Sequence, residues 1–212
     1  MGLVGFDPDL VASSINNVQN AYNDLIQAIA TDMQGQFVNG MQDKWACKDA
    51  QDFFQSFKSV IDTLITDSNN TFQSVVEAMN SAANGWAQQT GSSWSAKSFS
   101  RLDKKMDVSV IQENIGGVRG VDPEATAVSA KLTSISGAAV SALTDAQSAV
   151  QNCGFIGGSS ASTLISSLGK IKSNIESAIN QISSDCQKAI ETTATTYTNL
   201  DVKISDAFAG TN

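Results

Sequence analysis

The chain contains only two prolines, and both sit in matching surroundings: Gly5-Phe6-Asp7-Pro8 and Gly120-Val121-Asp122-Pro123. Asp before Pro is a helix start. The carboxylate accepts a bond from a free first-turn amide, and the fixed φ of proline suits the first helical position. Asp9 and Glu124 come next and put negative charge where the helix dipole favours it. Two such starts 115 residues apart in a chain of 212 point to a duplicated helical unit.

The apolar spacing after each start supports the same plan. Ile15, Val18, Tyr22, Leu25 and Ile29 alternate by three and four, and Met33, Phe37 and Met41 carry the stripe onward. This predicts one helix over about 7–43, roughly 55 Å long. A break at Lys44-Trp45-Ala46-Cys47-Lys48 precedes a second stripe of Phe54, Phe57, Ile61, Leu64, Phe72, Val75, Met79, Ala82 and Trp86, a helix over about 49–89. In the second half, Leu132, Ile135, Ala139, Ala142, Ala146 and Ala149 give a helix with an unusually small contact face. A glycine-containing turn, Asn152-Cys153-Gly154-Phe155-Ile156-Gly157-Gly158, leads to a last stripe. It comprises Leu164, Leu168, Ile171, Ile175, Ile182, Cys186, Ile190, Tyr197, Leu200, Ile204 and Phe208. So long a three-four alternation signals coiled-coil-like packing on partner helices.

Between the halves, residues 91–119 carry Trp94, Phe99, Arg101, Lys104 and Lys105, a short candidate strand at Val108-Ser109-Val110, and the breaker Gly116-Gly117. The segment is far longer than the roughly 2–8 residues that usually join helices in bundles. Fully extended it reaches at most ~100 Å, enough to recross a helix of ~55 Å. An antiparallel second hairpin needs that reach; a parallel one does not. The expected fold is therefore all-α, with two tandem helical hairpins, 1–90 and 120–212, packed antiparallel as an elongated four-helix bundle. The turns holding Trp45 and Phe155 then lie at opposite ends, too far apart for Cys47 to bond Cys153. Arg101, Lys104 and Lys105 are expected on a solvated linker face, Cys186 in the core, and Cys47 and Cys153 as turn residues open to exposure.

Composition narrows the function. Net charge is −8, and phosphate binding needs clustered Lys and Arg, so nucleic acid and anionic membrane surfaces are poor partners. Charged residues are 16%, against roughly 25% in an ordinary soluble domain, and Ser, Thr, Asn and Gln fill the polar faces. The chain has no histidine, which removes the commonest general base and metal ligand together. Three scattered cysteines form no CxxC, zinc pattern or disulfide framework. Nothing supplies a base beside a nucleophile, so no catalytic residue, metal or cofactor is assigned. The N-terminus shows no basic-then-apolar signal peptide, and no apolar run of 18 residues suggests a membrane span.

Paired hairpins of about 100 residues with a Trp in the inter-helical turn resemble the WXG family of type VII secretion substrates. Trp45-Ala46-Cys47 sits where that family carries Trp-x-Gly, with Ala50 and Phe54 following as a small residue and an aromatic do there. Phe155-Ile156-Gly157 occupies the corresponding turn of the second repeat. One copy keeps the Trp and the other keeps the Gly. A cysteine at a left-handed position would cost roughly 1–2 kcal/mol. Near the other end of the chain, Tyr197-Thr198-Asn199-Leu200-Asp201 fits the family's Y-x-x-x-D/E export signal, which the region around Trp86 lacks.

The resemblance covers both repeats but not 91–119. It implies a non-enzymatic helical adaptor or substrate, monomer or homodimer, made in the cytoplasm of a Gram-positive-type bacterium. Such a protein is secreted without a cleaved signal peptide. The partners implied are the secretion ATPase and either an LXG-type toxin or another WXG-like protein. In the family the turn Trp and the Y-x-x-x-D form a two-part signal, which here would be Trp45 with Tyr197 and Asp201. The alternative is a filament-forming or flagellar-type secreted helical protein, suggested by the low-charge Ser/Asn/Gln/Ala surface. A membrane-active toxin ranks below both.

Overall fold

The structure is a computed structural model that describes residues 5–156 and 160–209. The protein is all-α, with helix making up 76% and strand 5%. α1 (Pro8–Ile26) starts as its sequence dictates: Asp7 Oδ1 accepts from the amides of Asp9 and Leu10, each at 3.0 Å. The second start differs from the expected one: Asp122 Oδ1 accepts from the Glu124 amide at 2.7 Å, but Pro123 and Glu124 form a turn, and α4 (Ala125–Ser129) begins after it with no side-chain cap. Ala130 keeps near-helical angles, φ −62° and ψ −20°, before α5 (Lys131–Gln151). α3 (Lys48–Thr90) stops at Gly91, whose φ of +69° and amide bond to the Ala87 carbonyl make a left-handed cap. α6 (Ser160–Ala209) is the longest element.

The first helix is continuous, but its winding changes. Gln27–Val38 is π-helical and runs into the short α2 (Asn39–Met41). The apolar spacing explains why. Leu25, Ile29, Met33, Phe37 and Met41 recur strictly by four, and all are wholly buried. In an α-helix steps of four drift by ~40° each, which would swing this run out of the core. The slower-wound π-helix reduces that drift. Surface bonds follow the change: Gln27–Asp32 and Gln34–Asn39 pair five residues apart, whereas Gln19–Asn23, Gln73–Glu77 and Gln181–Asp185 pair four apart.

One core runs through the molecule, with α1 against α3 and α5, α5 against α6, and α3 against α6. Two short strand pairs tie its parts together. β1 (Gly5–Phe6) pairs antiparallel with β4 (Phe155–Ile156), and β2 (Trp45–Ala46) with β3 (Gly120–Val121). Each Gly-x-Asp-Pro start is thus clamped to an inter-helical turn in the other half of the chain.

Several sequence expectations need correction. Val108–Val110 is a turn, not a strand, because Val108 turns inward and its carbonyl accepts from the Ile111 amide at 3.1 Å. Late in α3 the buried positions are Ala83 and Ala87 rather than Ala82 and Trp86, since the four-residue step from Met79 shifts the stripe. Cys47 and Cys153 are buried, not exposed. Cys47 has extended backbone, φ −171°, so its place in the turn carries no left-handed strain.

Candidate functional site

The region of interest is the end where β2 meets β3. The Asp122 amide donates to the Lys44 carbonyl at 2.6 Å, and the Lys44 ammonium meets Glu124 at 2.6 Å. The hydrogen bond to Glu124 holds the Lys44 ammonium above its usual pKa. Trp45 lies inside this clamp, wholly buried, with its ring 5.5 Å from Phe53 and 6.2 Å from Phe54. Its indole N–H is buried with no acceptor among the described residues. Ala46 pairs with Gly120, and Cys47 precedes α3 without capping it through its side chain. Trp45 is therefore a closing group for this end and presents no surface.

α6 reaches the same end. Lys172 Nζ donates to Thr144 Oγ1 at 2.9 Å, and Gln147 Nε2 to the Ile165 carbonyl at 3.2 Å, so α6 runs antiparallel to α5. Carried along two helices of equal rise, that register brings Gly120–Val121 level with about residues 191–195 of α6. Contacts of α6 with β3 and α4 agree. Burial ends there: Thr193 is 2% exposed, whereas Leu200 is 51% and Ile204 47%. Tyr197 is half-buried and Asp201 exposed. Residues 194–205, ~18 Å of helix, thus form an arm beyond the core. The stripe foreseen on this stretch persists, but no described helix covers Leu200 or Ile204. No ring contact or hydrogen bond joins Trp45 to Tyr197 or Asp201 among the described residues. The structure brings these three to one end without joining them.

The opposite end differs. Phe155 is half-buried and pairs with Phe6. Gly154 has φ +75°, and its carbonyl accepts from the Asp7 amide at 3.0 Å. Gly157 lies outside the described residues. Arg101, Lys104 and Lys105 are exposed on the connecting segment. Burial pushes the thiol of Cys153 up, and that of Cys186, on the core stripe, up to about 12.

Sequence reasoning missed both strand clamps and the polar side chains that hold 94–111. Two signals were present: the β-prone Phe6 and Val121 before each Asp-Pro, and amide side chains at Gln19, Gln34, Asn69 and Asn80 beside the core stripes. Among the described residues no cluster of three metal-ligating side chains occurs, and no helix is long and apolar enough to cross a membrane. Comparison with known proteins gave no matching family model, curated protein or solved structure.

Proposed function

We propose that this chain is a secreted, non-enzymatic helical adaptor or substrate of a type VII secretion system. In this reading two WXG-like hairpins pack antiparallel as an elongated four-helix bundle. The end holding Trp45 carries the element that the secretion ATPase recognises. The observation that carries the reading is the arm of α6. Its burial stops at Thr193, so Tyr197 and Asp201 stand on a helix that leaves the core at the Trp45 end. A helical tail with an apolar face and an exposed carboxylate at Asp201 suits capture in a partner's groove. Trp45 contributes by shaping the end from which the arm departs, since it is itself buried. An LXG-type toxin or another WXG-like protein remains the partner class on the cargo side.

The test is export from a type VII-competent host. Asp201→Ala should abolish secretion while leaving the melting temperature within about 1 °C, because exposed substitutions usually shift stability by less than ~0.5 kcal/mol. Normal secretion of folded Asp201→Ala would refute the reading. One observation favours a second reading, a filament-forming secreted protein: Leu200, Val202 and Ile204 are all near half-exposed on a terminal helix. Concentration-dependent sedimentation of the purified chain, lost in Leu200→Lys, would support that alternative.

A further inference from the structure

Residues 94–111 lie in the groove between the first helix and α3, bound through their main chain. Asn80 donates to the Lys97 carbonyl and accepts from the Lys97 amide, both at 2.8 Å. Gln19 does the same for Ser100, at 3.0 and 2.8 Å, and Gln34 for Asp107, at 2.7 and 2.9 Å. The Leu102 amide donates to Tyr22 Oη at 2.6 Å, and its carbonyl accepts from Asn69 Nδ2 at 3.3 Å. The Met106 amide donates to Asp62 at 2.8 Å, and its carbonyl accepts from the Lys58 ammonium. At five positions, then, both main-chain groups are taken by side chains. Among the described residues no backbone–backbone bond joins 94–111 to a helix.

Such a ladder does for one strand what a neighbouring strand would do, and it is blind to the bound segment's side chains. Sequence enters only through apolar seats. Met106, Val108 and Ile111 are buried, Leu102 is half-buried, and Phe99 packs edge-on to Tyr22 at 4.7 Å. Both ends of the strap leave through exposed glycines with positive φ, Gly91 on one side and Gly116 and Gly117 on the other.

We propose that the groove between the first helix and α3 is a docking site for an extended polypeptide. Its ligand carries apolar side chains at the spacing of Phe99, Leu102 and Met106, and the chain's own strap fills the site as an intramolecular stand-in. The tether gives the strap a local concentration of roughly millimolar order, so a partner segment binds well only when the strap is out.

The test uses the full chain carrying Met106→Asp and Ile111→Asp, which spoil the strap and leave the groove side chains intact. The probe is a fluorescent synthetic peptide of residues 94–111 with the natural sequence, followed by anisotropy. Saturable binding should be at least about ten-fold tighter to this variant than to the natural chain. Adding Gln19→Ala and Gln34→Ala should weaken it by at least about ten-fold, the effect of losing their four main-chain hydrogen bonds. A peptide that keeps the apolar positions but scrambles the rest should bind within a few-fold. Equal binding to variant and natural chain, or indifference to the two glutamines, overturns the proposal. Hydrogen exchange on the natural chain gives an independent check. The amides of Lys97, Ser100, Leu102, Met106 and Asp107 should open together, faster than those around Phe72 in α3. Opening only with global unfolding would show that the strap never vacates the groove.

Discussion

Gly154→Ala should be among the most damaging single-methyl additions in this protein. Two costs combine. The backbone there is left-handed, φ +75°, which costs a residue with a Cβ about 1–2 kcal/mol. A Cβ would also stand 2.8 Å from Leu10 Cβ and 3.0 Å from the Asp7 carbonyl oxygen. These are groups that cannot swing aside, because the Asp7 amide is bonded to Gly154 itself. Relieving that overlap means parting β1 from β4, an overpacking cost of about 1–3 kcal/mol. The sum, about 2–5 kcal/mol, can be separated into its parts. Gly116 has φ +58° and open space around it, so Gly116→Ala reports the backbone cost alone. Gly85 sits in open space on α3, where alanine should stabilise by ~0.5–1 kcal/mol. Urea denaturation measures all three. With a slope of ~2–3 kcal/mol/M, Gly154→Ala should lower the midpoint by about 1–2 M at unchanged slope. If Gly154→Ala costs no more than Gly116→Ala, the clamp between the first start and the second turn is not formed as described.

Ala142→Leu should destabilise by about 1–3 kcal/mol, since Ala139, Ala142 and Ala146 are buried on α5 and leave no room for three more carbons; an unchanged thermal melt would mean that this face is solvated. For Cys186 the folded thiol is raised to about 12 from an ordinary value of 9.0, so the unfolded chain loses that proton first. Its contribution is complete below about pH 9 and is lost as pH rises toward 12, so stability should fall across that window and fall less in Cys186→Ala. A thiol reagent at pH 8 should modify Cys47, Cys153 and Cys186 only as fast as the native chain opens, because all three are buried.

The helical plan was legible because the signals were local. Asp-Pro starts, three-four spacing and turn glycines each act within a few residues, and they located the long helices to within a residue or two at most ends. The π-winding was visible in principle, in the strict four-residue step from Leu25 to Met41, but a window tuned to three-four alternation passes over it. The strand clamps were harder to see. Phe6 and Val121 look like ordinary residues before a cap until each meets a turn 149 or 76 positions away. The strap was missed for a related reason: its partners Gln19, Gln34, Asn69 and Asn80 are neutral amides, which carry no periodic or charge signal. The arm of α6 shows the limit from the other direction. Periodicity places Tyr197, Leu200 and Ile204 on one face, but only the lengths of the neighbouring helices decide whether that face is covered.

The proposed antiparallel arrangement of the two halves underlies the proposed export end, and distances between spin labels test it most directly. Gln42, Asn152 and Asn199 are exposed, near the first turn, near the second turn and on the arm, respectively. Pulsed electron resonance on Gln42→Cys/Asn199→Cys should give a distance under about 30 Å. The pair Gln42→Cys/Asn152→Cys should give roughly 50 Å or more, the length of a helix of this size. The reverse order, with the two turns close and the arm far from Gln42, would contradict the arrangement and with it the placing of Trp45, Tyr197 and Asp201 at one end.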